Sequence, residues 1–186
     1  MANKVKYGLR NVWIAPITST SPSYTYSTPF SIPGAVNLTL TATGDRNDFF
    51  ADDVVYFAQY ANNGYEGELE IAMIPDSFRT AILGETADNN EALIETADDI
   101  IVPFAMGFEV QGDEKGRRCW YYNVTAARPG ADAATTEATI TPQTDTLQIT
   151  AAARITDHAV RVIMPLTSSN STAYNNFFSS VYEKTV

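Results

Sequence analysis

Three segments of the chain alternate between apolar and polar residues over most of their length, a period of two that is typical of half-buried β-strands. The segments are NLTLTAT at 37–43, EGELEIAMI at 66–74 and TDTLQITA at 144–151. Because successive side chains of a strand point to opposite faces, each segment is predicted to have one face in a core and one polar face. In the second segment the inward residues are Leu69, Ile71 and Met73. The outward polar residues of the three segments are Asn37, Thr39, Thr41, Glu66, Glu68, Glu70, Thr146, Gln148 and Thr150.

Two more apolar segments in the middle of the chain predict a hairpin, since turn-forming residues at 112–116 separate them and their Trp and Tyr residues favour strands. In the first segment one face is predicted to hold Phe104, Met106, Phe108 and Val110. In the second segment one face is predicted to hold Trp120, Tyr122 and Val124. A further strand is predicted at 53–60, followed by Asn63 and Gly64, a dipeptide typical of hairpin turns.

Two stretches with helical spacing interrupt the strands. Residues 75–84 begin with a capping Asp76 or Ser77 and end at Gly84, which marks a short helix. Residues 172–182 carry aromatic and apolar residues at helical spacing, namely Tyr174, Phe177, Phe178, Val181 and Tyr182. The sequence therefore predicts an α+β fold that is mainly antiparallel β, with two packed sheets, as a sandwich or rolled barrel, and a flanking α-helix.

The length of 186 residues suits one domain, and no linker divides the chain, so residues 1–186 are predicted to form a single unit. Polar runs near 18–28 and 130–139 are predicted to be extended loops or arms. The N-terminal positive charges have no apolar segment behind them, so no secretory signal is expected. The sequence has no run of 18 apolar residues, so no membrane span is predicted. No membrane partner is expected.

The chain is acidic, with a formal net charge of −10 and a pI near 4.4. Because DNA binding depends on neutralising phosphates with Lys and Arg, this charge argues against a protein that clamps DNA. It is compatible with a protein past which DNA must move without sticking.

Residues that carry chemistry are few. The single cysteine, Cys119, lies in an aromatic strand and is predicted to be a buried, inert thiol. The single histidine, His158, follows Asp157 but forms no dyad by adjacency alone, and no nucleophile, phosphate-loop or metal-ligand motif is present. The acid pairs Asp52–Asp53 and Asp98–Asp99 are predicted to be solvated turn residues, with an exposed cation site as the alternative. The sequence predicts no enzyme, no cofactor and no metal.

Several segments, taken in order, resemble the major tail tube proteins of siphoviruses, the long non-contractile-tailed phages, that infect Gram-positive bacteria. The most specific is NNGYEGELEIAMIPDSF at 62–78. The others are KYGLRNVW at 6–13, IPGAVNLTL at 32–40, FADDVVYF at 50–57, YNVTAARP at 122–129, TDTLQITA at 144–151 and TAYNNFF at 172–178. No single block suffices, and their order and completeness carry the resemblance.

The resemblance implies the phage tail tube fold and a structural role. Six copies would form a ring, the inner sheets of the six would close into one β-barrel around a lumen, and rings would stack into the conduit for genome ejection. The partners implied are copies of the same chain, the tail tip, tape measure and tail terminator proteins, and phage DNA that passes without sequence-specific binding. The implied location is the virion tail, and the host cytoplasm before assembly. Some relatives carry a C-terminal immunoglobulin-like domain, which this sequence is not expected to have.

If the resemblance holds, the nine outward polar residues are the candidates for the lumen wall, and a solvated outer face is the alternative for each strand. The loops near 18–28 and 130–139 are the candidates for ring-to-ring contacts. A function of another class is also compatible with the sequence, namely a virion decoration or adhesion β-sandwich that binds carbohydrate or protein. In that case Trp120, Tyr121 and Tyr122 would form a sugar platform, with core packing as the alternative.

Overall fold

The computed structural model describes residues 5, 7–112, 116–131, 133–135 and 142–185. These residues form thirteen strands, two short α-helices and one π-helical segment. The strands are β1 (Leu9–Ser19), β2 (Thr25–Tyr26), β3 (Phe30–Ile32), β4 (Ala35–Ala42), β5 (Arg46–Ala51), β6 (Val54–Tyr60), β7 (Tyr65–Ile71), β8 (Thr86–Ala87), β9 (Leu93–Ile94), β10 (Phe104–Val110), β11 (Arg117–Ala126), β12 (Asp145–Ala152) and β13 (Arg161–Pro165). The helices are α1 (Asp76–Phe78), which continues into the π-helical segment Arg79–Leu83, and α2 (Ser171–Asn175).

Nine strands form one antiparallel sheet in the order β2-β1-β10-β11-β12-β7-β4, with β3 paired to β1 and β13 paired to β11. The hairpins β5–β6 and β8–β9 form two further small sheets. Within the described chain the large sheet does not close on itself, since its path ends at β2 and β4. The predicted mainly antiparallel β fold with a flanking helix is therefore confirmed.

The core lies between two layers of this bent sheet, one built from β1, β10 and β11 and the other from β12, β7 and β4. Ile14 and Met106 of the first layer belong to the same buried cluster as Leu69 and Leu147 of the second, and Leu38 of β4 packs against it. Phe78 of α1 belongs to the same cluster and meets Phe104 edge to face, with ring centroids 5.7 Å apart. The helical segment therefore covers the end of the core at which β10 begins.

A second cluster covers the opposite face of β11 and holds the C-terminal segment in place. Trp120 is fully buried, and its indole Nε1–H donates to the carbonyl oxygen of Phe177 at 2.8 Å. The Tyr122 hydroxyl donates to the carbonyl oxygen of Tyr182 at 2.9 Å. Because both side chains were predicted to share one face, their common cluster confirms that part of the pattern.

Val124 does not share that face, so this part of the prediction was wrong. Met106 pairs with Tyr121 whereas Phe104 pairs with Val124, which leaves one extra residue in β11. Such a β-bulge reverses the side-chain alternation beyond it, and Val124 accordingly lies in the core with Tyr121. Met73 was also predicted inward and is exposed, because β7 ends at Ile71 before reaching it.

The first predicted helix is confirmed over 76–83, and it stops at Gly84, whose φ of +81° is the left-handed conformation that favours glycine. The predicted cap at Asp76 or Ser77 was wrong, because the helix begins after Pro75 and no described side chain caps its N-terminus. The second predicted helix is too long, because α2 ends at Asn175. The carbonyl groups of Tyr174 and Phe177 are bonded by Arg118 and Trp120 of β11, so tertiary contacts replace further helical turns. No helix of the described residues is long and apolar enough to cross a bilayer.

The predicted extended loop near 18–28 is folded against the body. It contains the end of β1 and all of β2, which pair with each other, and the Tyr26 hydroxyl donates to the carbonyl oxygen of Tyr122 at 3.1 Å. Part of this polar stretch therefore belongs to an edge hairpin. The predicted loop near 130–139 and the predicted turn at 112–116 lie partly outside the described residues, at 132, 136–139 and 113–115.

Candidate assembly surfaces

The nine outward polar residues predicted from the alternation form one continuous face in the structure. Strands β4, β7 and β12 are neighbours, and their registers align the nine side chains in three rows of three. The rows are Asn37–Glu70–Thr146, Thr39–Glu68–Gln148 and Thr41–Glu66–Thr150. Residues opposite each other on antiparallel strands share a face, so the sheet brings together what the sequence predicted strand by strand.

This face, called here the acidic face, is open to solvent and carries its charge in its middle column. Glu66 and Glu68 are exposed and Glu70 is half-buried. Glu68 accepts a hydrogen bond from the Gln148 side-chain amide at 3.1 Å, and Glu70 accepts one from the Thr144 hydroxyl at 2.6 Å. The flanking columns of β4 and β12 are uncharged, so the face is a single acidic stripe bordered by hydroxyl and amide groups.

The acidic face ends at the border of β4, an edge strand of eight residues. On its inner side β4 lies very close to β7, since a Cβ at Gly67 would be 1.9 Å from the carbonyl oxygen of Thr39. No strand of the described residues is hydrogen-bonded to its outer side, and β1 lies near β4 without pairing with it. Such an edge presents backbone groups that another strand can pair with, and exposed Val36 near its start adds apolar surface.

The hairpin of β5 and β6 is the most exposed apolar element of the described chain. Its strands form a sheet of their own, and Tyr56 and Phe57 are 75% and 56% exposed. Phe49 lies opposite Phe57, and Phe50 lies opposite Val55, all four on the surface. Contiguous exposed apolar surface of this kind marks an interaction site in a stable protein. The two-residue turn at its tip is Asp52 and Asp53, both with positive φ.

The core is covered at one end by α1 and is open at the other. Here a groove of about 860 Å³ lies between the layers, and its apolar walls come from β4, β10 and β11. Its lining includes Leu38, Leu40, Phe108, Tyr121, Arg117 and Arg161. Arg161 lies over the ring of Tyr65, with its guanidinium carbon 4.9 Å from the centroid, and donates to the Tyr121 hydroxyl at 3.1 Å. Both arginines are exposed.

Buried ion pairs link the strands of the layer opposite the acidic face. Glu109 is almost fully buried and forms ion pairs with Arg10 and Arg118, and the Asn11 side-chain amide donates to it at 3.2 Å. Burial alone raises the pKa of Glu109, but the hydrogen bonds from Arg10 and Asn11 and the positive charges outweigh it and lower the pKa. The carboxylate is therefore held ionised as a structural crosslink between β1, β10 and β11.

The acid pairs have structural explanations. Asp99 accepts hydrogen bonds from the hydroxyl and backbone N–H of Thr96 at 2.6 and 2.8 Å, and these bonds lower its pKa. Asp52 and Asp53 are the central residues of a two-residue hairpin turn, where positive φ favours Asp and Asn among residues with a side chain. Within the described residues, no group of three or more His, Cys, Asp and Glu side chains is arranged to hold a metal ion.

The other residues singled out in the sequence lie in the core or in an exposed turn. Trp120, Tyr121 and Tyr122 are all buried, so these rings present no platform to a sugar. His158 is exposed in a turn. The Asp157 carboxylate accepts from Arg154 at 2.9 Å.

Cys119 is buried, as predicted, and it lines the groove. Burial raises its pKa to about 11 despite the charges of Arg161 and Arg117. Because the thiolate is the reactive form, we expect the native protein to react with a thiol-specific disulfide reagent at pH 8 at least about a hundredfold more slowly than the unfolded protein. Absorbance of the released thiolate measures both rates. Equal rates in native buffer and in denaturant would contradict the burial of this thiol.

Neither a family model nor a curated protein matches this chain. The geometry of its surfaces therefore carries the functional argument. The polar residues of the acidic face were predictable from the sequence, whereas the exposure of the β5–β6 hairpin and the groove were not. The apolar run VVYFA at 54–58 indicated a strand that needs cover on both faces, but it did not show that the subunit itself leaves both faces exposed.

Proposed function

We propose that this protein is the major tail tube subunit of a siphovirus, which assembles into hexameric rings that stack around a channel for DNA. The observation that carries the proposal is the acidic face running in register across three strands to the unpaired border of β4. A continuous polar face is suited to line a channel, and an unpaired edge strand is suited to pair with a strand of another copy. The resemblance of seven sequence blocks to tail tube proteins supports the same conclusion.

Closure of a ring would use the open border of β4. An unpaired strand of eight residues invites uncontrolled pairing unless it is covered, and a closed ring of identical subunits pairs every edge with a neighbour. The sheets of six subunits would then form one continuous wall. The strand β4 is part of the acidic face and also carries the open border. Pairing of this border with another copy would therefore extend the acidic face from one subunit to the next.

The acidic face is proposed to line the lumen. Six chains at −10 each carry 6 × −10 = −60 formal charges per ring, and duplex DNA carries about one negative charge per 1.7 Å of its axis. Glutamates on the wall would repel phosphates and keep the genome from adhering while it passes. The partners that follow are other copies, the tail tip, tape measure and terminator proteins, and transiting DNA, in the virion tail.

Electron microscopy of the purified protein tests the proposal, together with sedimentation velocity to measure oligomer size. Wild-type protein is expected to form rings or tubes with six subunits per layer. Val36→Lys is expected to abolish them, because a lysine on an edge strand disfavours strand addition. Since Val36 is exposed in the subunit, the variant should unfold within about 0.5 kcal/mol of the wild type.

The matched control is Val36→Thr, which keeps a β-branched side chain and adds no charge. This variant should assemble like the wild type. Tubes of normal diameter from the lysine variant would argue against β4 as the joint between copies. A wild-type protein that stays monomeric at all concentrations would count against the tail tube function itself.

A further inference from the structure

We propose that the β5–β6 hairpin of one copy docks into the open groove of the next copy, with the acidic tip of the hairpin beside Arg117 and Arg161. This inference rests on the proposed self-assembly and names the two surfaces that meet in it. The occupant of the groove is thus a second copy of this chain. The contact joins two different surfaces, so it is head to tail.

The groove is an unfinished part of the core. At the other end of the layers, Phe78 of α1 seals the cluster against water. At the open end, Phe108 and Tyr121 lie on the floor of the groove, and Leu38 and Leu40 lie on its wall. An apolar element inserted at this end would cover the core as α1 covers it at the other end.

The hairpin has the form of that insert. Two strands of six or seven residues extend about 20 Å at 3.3 Å per residue. Their large side chains are exposed on both faces, so the hairpin's own domain does not cover them. An isolated two-stranded hairpin is only marginally stable in water, and burial between two layers removes apolar surface from both partners.

Charge complementarity selects the orientation. The hairpin ends in Asp52 and Asp53, both exposed, whereas the groove carries exposed Arg117 and Arg161. Opposite charges across an interface fix its register and speed encounter. A hairpin that entered with its tip toward the arginines would therefore be favoured over the reverse orientation.

Photocrosslinking of the full-length protein tests this contact. A benzophenone amino acid replaces Phe57, the protein is irradiated under assembly conditions, and the crosslinked peptides are mapped by mass spectrometry. We expect covalent dimers whose crosslinks fall on Leu38, Leu40, Phe108 or Tyr121 of another copy. The control places the same group at Ile155, an exposed residue of the turn that follows β12, from which no crosslinks to these residues are expected.

Charge reversal gives an independent readout. Asp52→Lys with Asp53→Lys, or Arg117→Glu with Arg161→Glu, should lower the crosslinked fraction at least about tenfold, because like charges then meet. Joining all four changes in one chain should restore it. Asp52→Asn with Asp53→Asn is the backbone control, since Asn also tolerates positive φ, and its loss should be smaller than that of the lysine pair.

The outcomes separate this inference from the proposed function. Tubes with crosslinks from position 57 to any surface other than the groove would leave the tube proposal standing and overturn the docking. Groove crosslinks in open chains without sixfold rings would support the docking and overturn the tube. A folded quadruple variant that stays uncrosslinked would also refute the charge pairing, and if that variant does not fold, the crosslink map alone decides.

Discussion

Replacement of Trp120 by alanine is expected to lower the free energy of unfolding by about 3–5 kcal/mol. The indole is fully buried, meets the ring of Phe178 edge to face at 5.8 Å, and donates to the carbonyl oxygen of Phe177. Truncation removes these contacts and leaves a cavity and an unbonded carbonyl group. Because total stabilities of domains are about 5–15 kcal/mol, the variant should be marginal. Urea unfolding followed by fluorescence or circular dichroism measures the change.

Trp120→Phe is the matched control, because it keeps an aromatic ring but removes the N–H donor. We expect it to cost about 1–3 kcal/mol, close to the penalty for an unsatisfied buried acceptor. Limited proteolysis should also cut the alanine variant near the C-terminus faster than the control, since Trp120 holds residue 177 in place. A loss below about 1 kcal/mol for the alanine variant would contradict the packing described for the second cluster.

If the acidic face lines the lumen of the proposed tube, replacement of both Glu68 and Glu70 by lysine should slow DNA passage at least about tenfold at low salt. Each substitution changes the charge by +2, so a ring of six gains 6 × 4 = 24 and changes from −60 to −36. Twelve lysines per ring would then bind phosphates, and the delay should shrink as salt rises because that binding releases counterions. Ejection of DNA from phage carrying the variant, followed with a DNA-binding dye at several salt concentrations, measures the rate.

Glu68→Gln with Glu70→Gln is the control for lost repulsion without new attraction, and its delay should fall between the wild type and the lysine variant. Both variants should still build tubes, since Glu68 is exposed and Glu70 is half-buried on the acidic face. Wild-type ejection kinetics from the lysine variant at low salt would contradict a lumen position for this face.

Much of the β architecture was predictable, because alternation in sequence reports which face of a strand is buried. The three alternating segments became β4, β7 and β12, and the outward residues of each proved to share one face. Alternation could not predict that these strands are neighbours. Pairing and register depend on contacts between residues far apart in the chain, as when Glu68 of β7 meets both Thr39 and Gln148.

Features that depend on tertiary context were missed for the same reason. The bulge that turns Val124 into the core arises from the pairing of β10 with β11, and α2 ends early because β11 side chains bond its carbonyl groups. The β5–β6 hairpin was predicted as a strand near 53–60, but nothing local shows that an apolar strand stays on the surface. The groove was not predictable either, because it is formed only by the separation of two layers of the folded sheet.

The two ends of the core differ, one sealed by α1 and one open. A polymer in which every subunit repeats one head-to-tail contact inherits that difference, so its two tips are chemically unlike. One tip would expose empty grooves, and the other would expose β5–β6 hairpins that no groove binds. Growth would then proceed at unequal rates at the two tips. The protein that starts the polymer and the protein that ends it would have to bind different surfaces.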